Sequence, residues 1–592
     1  MTRLPALNSS SLSPDASHSP AVPFRGILGG LRALAPVTAV SGLLVGMVLG
    51  LGFVIRLIAS IRLSPHVDEA SSVLAAHATA AHGWPVLPSG TVYFQGATLS
   101  WILTPLVWIG WGELNHLVAM RFVTVLAGTL TIWLCYRLCL AASGDSRVGL
   151  VMASLVAIDP VSVQWSGHVR MYGLLQAVVA GLAWAFILLL SGKSSRGRML
   201  LVVALFWVAV FTHIGASLLG PAMLGAILLV HGRSLLQRRD LLAGIALCGI
   251  APVTLLTLNS VLGSSSVGAG DTSSRPLLTF VGDNLLQPLA RFRGTFAPSS
   301  WDLQATELVW LVPGLIVAIA TIIGGHQVLR QPRSHISRQH RINMIALLSM
   351  YWLSLIVVGV FTVSPKERYL LHVHVIGYLF VAVLIVNVID RRSRQGDARG
   401  GRLAKIVPAG LVVLVVLAIG SALGLRLLNP VVHPDYHAAL AYVADRQQPG
   451  EPIVVALPPV AWLVLDESDR DDLIYLAGSE DQERAQRYTR ITTDGRHVDY
   501  WIGNPAIDTS AGLVRILAKH HDAWIVIDEE RLRADWAYAG EIEDLLDDGT
   551  IVAHQTPGGG LVLRVKPDAA SPASETTARP EIQRGVIQIL SG

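Results

Sequence analysis

The sequence has few charged residues. Asp, Glu, Lys and Arg make up 15% of its 592 residues, whereas soluble globular proteins carry about 25%. Hydrophobic residues reach 52%, and the mean hydropathy is +0.53. This shortage of charge excludes an ordinary soluble protein and predicts a membrane protein. The net charge of +4 is too small for a chain of this length to indicate nucleic-acid binding.

Cysteine is also scarce. Cys135 and Cys139 lie one helical turn apart in an apolar run, and Cys248 lies in another. No His or acidic residue joins the pair, so we interpret all three as buried hydrophobic side chains rather than metal ligands. The sequence predicts no disulfide framework. It also predicts no cleavable signal peptide, because the first apolar run is long enough to stay in the bilayer.

Long apolar runs fill the first 428 residues. A transmembrane helix needs roughly 20 apolar residues. The sequence therefore predicts a polytopic α-helical membrane protein with about eleven transmembrane helices. The predicted spans lie at about 36–58, 119–141, 148–166, 171–190, 198–214, 215–231, 241–258, 306–324, 342–362, 369–389 and 406–428.

One further apolar segment, Ala97–Trp111, is short, rich in Trp and interrupted by Pro105. Cytoplasmic loops carry an excess of Lys and Arg. If this segment does not span, five basic loops between later spans all face the cytoplasm with the N-terminus. If it spans, all five face outside. We therefore predict an interfacial helix in a long first external loop, and a multi-pass protein of the plasma membrane with an extracytoplasmic C-terminal domain.

The composition changes after Pro430. The runs "PIVVAL" and "AWIVIDE" are typical of buried strands, and "DYHAALAYVADRQ" and "SAGLVRILAKHH" have helical periodicity. These patterns predict a small external α/β domain. The predicted parts are a disordered cytoplasmic tail 1–35, a transmembrane domain 36–428 with the first external loop 62–118, the α/β domain 429–567 and a disordered tail 568–592.

Two adjacent carboxylates, Asp68 and Glu69, follow the first span. The pattern predicts a helix that starts near Asp68, with both acids at its positive end. One interpretation is a helix cap at Asp68 and a solvated first-turn acid at Glu69. The other is a general base at the membrane edge. Adjacent helical residues point about 100° apart, so one acid could act as the base while the other orients it.

The turn 159–175 carries His168, Arg170 and Tyr172 at the outer end of two spans. Arg170 is either a snorkelling anchor or a phosphate ligand with a fork of donors. Tyr172 also suits an interfacial aromatic belt. Because the three residues are spaced two apart, an extended turn would place them on one face.

A third polar cluster opens the span near residue 369. Lys366 and Arg368, followed by Tyr369, would lie on the outer face, where positive charge is unusual. This favours an anion site over a plain anchor. His372 and His374 fall within the span, either as buried core or as the lining of a cavity.

His213 ends another span and has either a structural or a functional role. Together, these signals gather carboxylates and cations on one external face. Sugar transfer from a lipid phosphate needs this combination, because a base deprotonates the acceptor hydroxyl and cations stabilise the charge that builds on the leaving phosphate. The lipid tail of the donor would stay in the bilayer, which explains a site at its edge.

The motifs resemble those of the GT-C superfamily of membrane glycosyltransferases. The likeness is to its family-39-like bacterial members, which are related to protein O-mannosyltransferases and lipid A aminoarabinose transferases. It covers about residues 36–460. The matching motifs are Asp68-Glu69-Ala70, Pro160 followed by Val169-Arg170-Met171-Tyr172, Thr212-His213, Arg368-Tyr369-Leu370-Leu371 and the stretch "DYHAALAYVADRQQPGEPIVV".

The resemblance implies an inverting transfer of a sugar from a polyprenyl-phosphate-sugar donor. The acceptor would be a protein, a glycolipid or a wall polymer on the outer face. The resemblance makes Asp68 the leading base, with Glu69 as its catalytic neighbour, and Arg170 and Arg368 donor-phosphate contacts. The remaining candidates for substrate binding are His168, Tyr172, His213, Lys366 and Tyr369. No cofactor is certain, and a divalent cation, which some relatives use, is left open.

The turn departs from the family pattern at two positions. Many relatives carry an acid where this chain has His168, and others have Asp in place of Tyr172. The resemblance therefore implies a role for the turn in donor binding, whereas its role in catalysis stays open. Asp159 could substitute for the missing acid, although it lies nearer the membrane.

Two other functions compete with sugar transfer. In a transporter or lipid flippase, Arg56, His372 and His374 would mark a pathway inside the membrane. Against this, we find no internal repeat, and the charged residues cluster at one face rather than near the midplane. In a scaffold that binds a partner through its external domain, Asp68 and Arg368 would be dispensable.

Overall fold

The protein is described by a computed structural model. The described residues are 39–63, 65–191, 196–262, 305–330, 337–361, 367–394, six positions between 419 and 427, 434–477, 489–492, 494–507, 510–520, 523–529 and 551–565. Only the backbone is described at some helix ends, including Arg368 and Tyr369. The predicted tails 1–35 and 568–592, Lys366 and most of the predicted last span, 406–428, lie outside these residues.

The membrane part is a bundle of helices. These helices are α1 (Ala39–Arg62), α2 (Val67–His82), α3 (Ala97–Trp108), α4 (Leu117–Ser143), α5 (Ser146–Ile158), α6 (Pro160–Ser166), α7 (Met171–Ser191), α8 (Arg196–Thr212), α9 (Leu219–His231), α10 (Arg239–Leu262), α11 (Ala305–Arg330), α12 (Arg338–Phe361) and α13 (Glu367–Arg394). Helix α4 packs against α7, α5 and α1, and α13 packs against α11, α5 and α7.

Within the described residues, six helices are long and apolar enough to cross a membrane. Ten of the eleven predicted spans fall on helices, so the prediction of a polytopic helical membrane protein is confirmed. The count of eleven stays a prediction. Helix α3 has 12 residues and is about 18 Å long. It is therefore too short for a bilayer core of about 30 Å, in agreement with the expectation that this segment does not span.

The predicted span 148–166 is wrong as a single helix. The structure divides it into α5 and α6, which are bent by 60° at Asp159. Pro160 occupies the first position of α6, where its missing N–H group leaves no helical bond unmade. This pair makes a seventh span if the two helices are counted together.

The surface of α1 explains the high hydropathy of the sequence. Leu43, Met47, Leu51, Val54 and Ile58 are all exposed and recur every three or four residues. This spacing places them on one face of the helix. An exposed apolar stripe of this length is stable against lipid and costly against water.

The C-terminal domain is an α/β domain, as predicted. Its six-stranded sheet has the order β5-β2-β1-β6-β8-β7, with the first four strands parallel and the last two antiparallel. The sheet strands are β1 (Ile453–Val455), β2 (Leu473–Leu476), β5 (Ala506–Ile507), β6 (Ala523–Asp528), β7 (Ile551–Thr556) and β8 (Gly560–Val565), and a separate ribbon pairs β3 (Thr489–Ile491) with β4 (His497–Asp499).

The sequence patterns of this domain have simple structural causes. The runs "PIVVAL" and "AWIVIDE" form β1 and β6, which are parallel neighbours and are buried along their length. Fully buried parallel strands are continuously apolar. The two periodic segments form α14 (Tyr436–Ala444) and α16 (Ser510–Lys519), with α15 (Pro458–Val464) between them. The segment "IVAHQTPGGGLVLRV" forms the antiparallel hairpin β7–β8.

The C-terminal domain packs directly on α2, a contact that the sequence does not indicate. Ala70 and Leu74 of α2 belong to the same apolar core as the central strands of the sheet. Ser89 of the first external loop donates its Oγ to the carbonyl of Tyr500 (2.6 Å) and its N–H to that of Trp501 (3.2 Å). Helix α2 therefore lies between the helical bundle and the C-terminal domain.

Candidate active site

Helix α2 begins at Val67, next to the predicted start at Asp68, but its capping residue differs from the prediction. Its N-cap is His66, not Asp68, because the His66 Nδ1 accepts a hydrogen bond from the Asp68 N–H (3.1 Å). Glu69 accepts from the His66 N–H through Oε2 (2.8 Å). The pair forms a capping box with His in place of the usual Ser or Thr. The interpretation of Asp68 as the cap is wrong, and its carboxylate is left for other contacts.

Glu69 is a buried anchor rather than a solvated first-turn acid. Its side chain is 1% exposed and accepts hydrogen bonds from the Nε (2.9 Å) and Nη2 (2.6 Å) of Arg121. It also accepts from the Val169 N–H (2.6 Å). Arg121 in turn donates to the carbonyls of Ser60 and Leu63 at the end of α1 (2.7 and 2.8 Å). One carboxylate thus joins α1, α2, α4 and the turn after α6.

The surroundings of Glu69 favour its ionised form. Burial alone would raise its pKa, but His168 and the Arg121 guanidinium outweigh burial and hold the pKa well below the usual range. Hydrogen bonds to the charged form of a carboxylate act in the same direction. Protonation of either carboxylate oxygen would displace at least one of the donors that bond to it. The structure therefore favours a positioning role for Glu69.

Asp68 has a different environment, although it is the next residue. Its side chain is 34% exposed, and its Oδ2 lies 3.5 Å from the Nη2 of Arg170. The His66 Nδ1 lies 3.9 Å from the same oxygen. The two acids of the pair therefore differ as expected from their angular separation, with one buried and one facing outward. Asp68 is the acid that a substrate can approach.

Arg170 is buried against α2, so the interpretation as a snorkelling anchor is wrong. Its Nη1 donates to the Asp68 carbonyl (2.9 Å), the Ser72 Oγ (3.2 Å) and the Tyr93 Oη (2.8 Å). Burial would lower its pKa, but Tyr93 and Asp68 outweigh burial, and the pKa lies above the usual range. Arg170 is therefore a permanent cation beside the Asp68 carboxylate.

The turn after α6 brings the predicted cluster together. The His168 Nδ1 lies 3.3 Å from the Glu69 Oε2, and its ring lies 5.5 Å from that of His66. His168 and Arg170 contact the adjacent acids Glu69 and Asp68 respectively. The sequence predicted that the several N–H donors of Arg170 bind a phosphate. It did not predict that one of them bonds to Tyr93.

Tyr172 and His213 extend the site along the bundle. Their ring centroids lie 5.8 Å apart, and the Arg170 guanidinium lies 5.9 Å from the Tyr172 ring. The His213 Nδ1 accepts from the Gly215 N–H (3.0 Å) and caps the turn that follows α8. His213 therefore has a structural contact and also lies beside a candidate site residue.

The side chains of three other predicted site residues lie outside the described part of the structure. Lys366 lies outside the described residues, and the side chains of Arg368 and Tyr369 are not described. Asp159 does not substitute for the missing acid of the turn. It is fully buried, and its carboxylate oxygens accept from Ser162 and Tyr378 instead.

A transport pathway through Arg56 finds no support. Arg56 is fully buried and donates to the backbone carbonyls of Gly52, Val156 and Ala157 at 2.9–3.1 Å. An ionisable residue in a pathway faces a cavity or water, whereas this guanidinium bonds to backbone carbonyls within α1 and at the end of α5.

The described residues do not make a metal site. No group of three or more His, Cys, Asp or Glu side chains among them could hold a metal ion. Cys135 and Cys139 are buried, as predicted, whereas Cys248 is only partly buried. Glu69 already accepts from several donors, and Asp68 pairs with Arg170. This acid pair does not fit a divalent cation.

A cavity of about 140 Å³ lies between α2 and the C-terminal domain. His66 and Glu69 line one side, and Asp435, Tyr436 and His437 line the other. The stretch that opens the C-terminal domain, which carried part of the sequence resemblance, therefore faces the start of α2. The cavity lies beside His66, whose ring also approaches Asp68.

Sequence reasoning missed two residues of this region, Arg121 and Tyr93, and it named Arg56 only for a transport pathway. The available signal for Arg121 was an arginine inside a predicted span, which is rare and usually partnered. Tyr93 had no signal, because its neighbour Arg170 is 77 residues away in the chain.

The fold was compared with known proteins. No protein-family model and no curated protein matches the chain. Among solved structures, ArnT from Cupriavidus metallidurans in the apo state is similar at 14% identity and a TM-score of 0.51, over 90% of this chain and 100% of ArnT. ArnT bound to undecaprenyl phosphate gives 16% identity and a TM-score of 0.51, over 91% and 100%.

A third similar structure is the archaeal oligosaccharyltransferase AglB from Archaeoglobus fulgidus, in complex with an inhibitory peptide and a dolichol-phosphate. The identity is 12% and the TM-score is 0.51, over 82% of this chain and 69% of AglB. At identities this low, the similarity shows a shared fold and not a shared activity. The resemblance that the motifs predicted is confirmed at this level: the chain is a multi-pass membrane protein that shares its fold with ArnT and AglB.

Proposed function

We propose that this protein is an integral-membrane glycosyltransferase. It moves a sugar from a polyprenyl-phosphate-sugar donor to an acceptor on the extracytoplasmic face. The observation that carries the proposal is the partly exposed Asp68 carboxylate, 3.5 Å from the Arg170 guanidinium and next to the buried Glu69. The undecaprenyl phosphate in ArnT and the dolichol-phosphate in AglB support a lipid-phosphate donor.

In this proposal Asp68 is the general base. It removes the proton from the acceptor hydroxyl as the oxygen attacks the anomeric carbon and the bond to the lipid phosphate breaks. Attack from the side opposite the phosphate inverts the anomeric centre. Glu69 stays ionised and holds the first turn of α2 in place through Arg121. A base held in one geometry spends less entropy on reaching the reactive arrangement.

The donor phosphate lies on the Arg170 side of Asp68. Arg170 is a buried cation with a fork of donors, and such groups stabilise charge that builds on a leaving phosphate. Tyr172, His168 and His213 are the further substrate-binding candidates on this side. Lys366, Arg368 and Tyr369 are proposed as donor contacts on the resemblance alone.

The acceptor side is the cavity between α2 and the C-terminal domain. It adjoins His66, two residues from Asp68. The acceptor is a hydroxyl group of a protein, a glycolipid or a wall polymer. The protein lies in the plasma membrane, with the N-terminus in the cytoplasm and the C-terminal domain outside, as the basic loops favour.

Sugar transfer in membranes tests the proposal. Membranes that contain the protein receive radiolabelled polyprenyl-phosphate mannose, glucose or arabinose, and label is followed in lipid, protein and polymer fractions. Asp68→Asn is compared with Asp445→Asn, which changes an exposed aspartate of the C-terminal domain. The proposal requires transfer from one donor, its loss in Asp68→Asn and its persistence in Asp445→Asn. Full activity of Asp68→Asn overturns the base assignment.

A further inference from the structure

We propose that Arg56 and Asp159, two charged residues inside the bundle, are positioning residues for the candidate site. They set the angle at which the turn Gly167–Arg170 reaches Asp68 and Glu69. The catalytic consequence rests on the proposed function, whereas the geometric part stands on the described contacts alone.

The inference starts from the break between α5 and α6. The two helices are bent by 60° over a single residue, Asp159. A break of this kind leaves the last carbonyls of one helix and the first N–H groups of the next without helical partners. Inside a membrane each such group costs free energy unless another group bonds to it.

Arg56 supplies the donors for the first helix. From α1 its Nη2 donates to the carbonyl of Val156 (2.9 Å), and its Nη1 donates to those of Ala157 and Gly52 (both 3.1 Å). A positive charge at the C-terminal end of a helix also complements the helix dipole. Arg56 therefore favours an α5 helix that ends at Ile158 over one that continues further along the chain.

Asp159 supplies the acceptor for the second helix. Its Oδ2 accepts from the N–H (2.9 Å) and the Oγ (2.6 Å) of Ser162 in the first turn of α6. Its Oδ1 accepts from the Tyr378 Oη (2.8 Å), which ties the break to α13. The opposite charges of Arg56 and Asp159 act on each other across the break.

A glycine in helix α4, Gly128, leaves space for Arg56 and for the end of α6. A Cβ atom at Gly128 would come within 2.8 Å of the Arg56 Nε and 2.5 Å of the Ser166 Cβ. Gly128 therefore lets Arg56 and the end of α6 approach the same point of α4. Any side chain there would push both groups away.

The bend is close enough to control the site. Helix α6 has seven residues and is about 10 Å long, and the turn at its end presents the Val169 N–H to Glu69 at 2.6 Å. A change of about 10° in the bend would displace that end by roughly 2 Å, which breaks a hydrogen bond. The same displacement moves Arg170 away from Asp68.

Stability alone does not explain two buried charges here. Burying a charge carries a desolvation cost, and even a buried ion pair is weak evidence for a contribution to stability. The geometric role makes a different prediction: the neutral double variant Arg56→Met/Asp159→Asn folds, but it loses the donors to the α5 carbonyls and with them the fixed bend.

Hydrogen–deuterium exchange of the protein in lipid nanodiscs tests the inference. In the double variant, amides of residues 163–170 should exchange at least tenfold faster than in wild type, with α7 and the C-terminal domain unchanged. The matched control is Asp145→Asn, which alters the aspartate cap at the other end of α5. It should leave exchange in 163–170 at the wild-type rate.

A second variant keeps the test decisive if the double variant does not fold. Gly128→Ala changes no charge and should give the same selective increase at 163–170. Gly181→Ala is its control, since a Cβ there meets only ordinary contacts of 3.7 Å or more. Wild-type exchange at 163–170 in the folded double variant or in Gly128→Ala overturns the inference. A uniform increase in every segment also overturns it.

Sugar transfer by the same variants separates this inference from the proposed function. If Arg56 and Asp159 position the site, kcat/KM for the donor should fall at least tenfold in the double variant and in Gly128→Ala, and it should stay at the wild-type value in Asp145→Asn and Gly181→Ala. If wild type transfers no sugar, the proposed function fails, and the exchange data still decide whether the charges fix the turn.

Discussion

Arg121 donates two hydrogen bonds to Glu69, and both side chains are almost completely buried. Arg121 lies on a bundle helix, and Glu69 lies in the first turn of the helix that joins the bundle to the C-terminal domain. The two adjacent acids therefore have different surroundings. Glu69 is buried and bonded to Arg121, whereas the Asp68 carboxylate is partly exposed beside Arg170.

Breaking the pair should destabilise the protein. Arg121→Met leaves Glu69 as a buried charge without its guanidinium and should lower the free energy of unfolding by about 3–5 kcal/mol. A thermal melt in nanodiscs measures the effect. The control is Arg147→Met, which removes a guanidinium that is 57% exposed and paired with Asp145 and Asp390. It should cost no more than about 1 kcal/mol, and equal shifts for the two variants would contradict this account.

Glu69 should also make stability depend on pH. Its pKa in the folded protein lies below the unfolded value of about 4.3, so the unfolded state binds more protons below that pH. Its contribution is therefore complete above about pH 5 and is lost as the pH falls further. Melting temperatures between pH 3 and 7 should drop more steeply in wild type than in Glu69→Gln. Parallel curves would show that Glu69 is not held as an ionised carboxylate.

Tyr93 should matter for activity, although it lies outside the sequence motifs. Tyr93→Phe removes a 2.8 Å hydrogen bond to the Arg170 guanidinium. Hydrogen bonds to charged groups contribute about 1.5–3 kcal/mol, so sugar transfer should fall at least tenfold while the fold persists. Tyr136→Phe is the control, because the buried Tyr136 hydroxyl bonds to nothing in the described part of the chain. Wild-type transfer by Tyr93→Phe would remove Tyr93 from the site.

The contact between the first external loop and the C-terminal domain can be tested at one glycine. Gly503 has a φ of +82°, and a Cβ there would lie 3.1 Å from the Ser89 Cα. Gly503→Ala should therefore loosen the contact and speed amide exchange at Ser89, whose N–H bonds to Trp501. Gly495→Ala has the same φ with open space around it, so it controls for backbone strain. Equal exchange at Ser89 in both variants would contradict a docking role.

Much of the fold could be predicted from composition and periodicity. Apolar runs identified ten helical segments, and two apolar strand patterns identified neighbouring strands of the C-terminal sheet. The bend at Asp159 was missed, because hydropathy measures length and not direction. The Asp–Pro pair at 159–160 is the local signal for a cap and a new helix.

The candidate site was only partly predictable. Residues near one another in the chain, such as Asp68 with Glu69 and His168 with Arg170, were identified by their spacing. Their partners Arg121 and Tyr93 lie 52 and 77 residues from Glu69 and Arg170. Only the packing of α2 against α4 and the turn brings these groups together. The contact of α2 with the C-terminal domain has the same origin.

The most direct test of the central claim is sugar transfer by Asp68→Asn from a polyprenyl-phosphate-sugar that wild type uses. Asn keeps the size of the side chain but cannot act as a base. The account predicts that the rate falls by a factor of at least 100, with protein level and melting temperature close to those of wild type. A rate within threefold of wild type would contradict the role of Asp68 as the base.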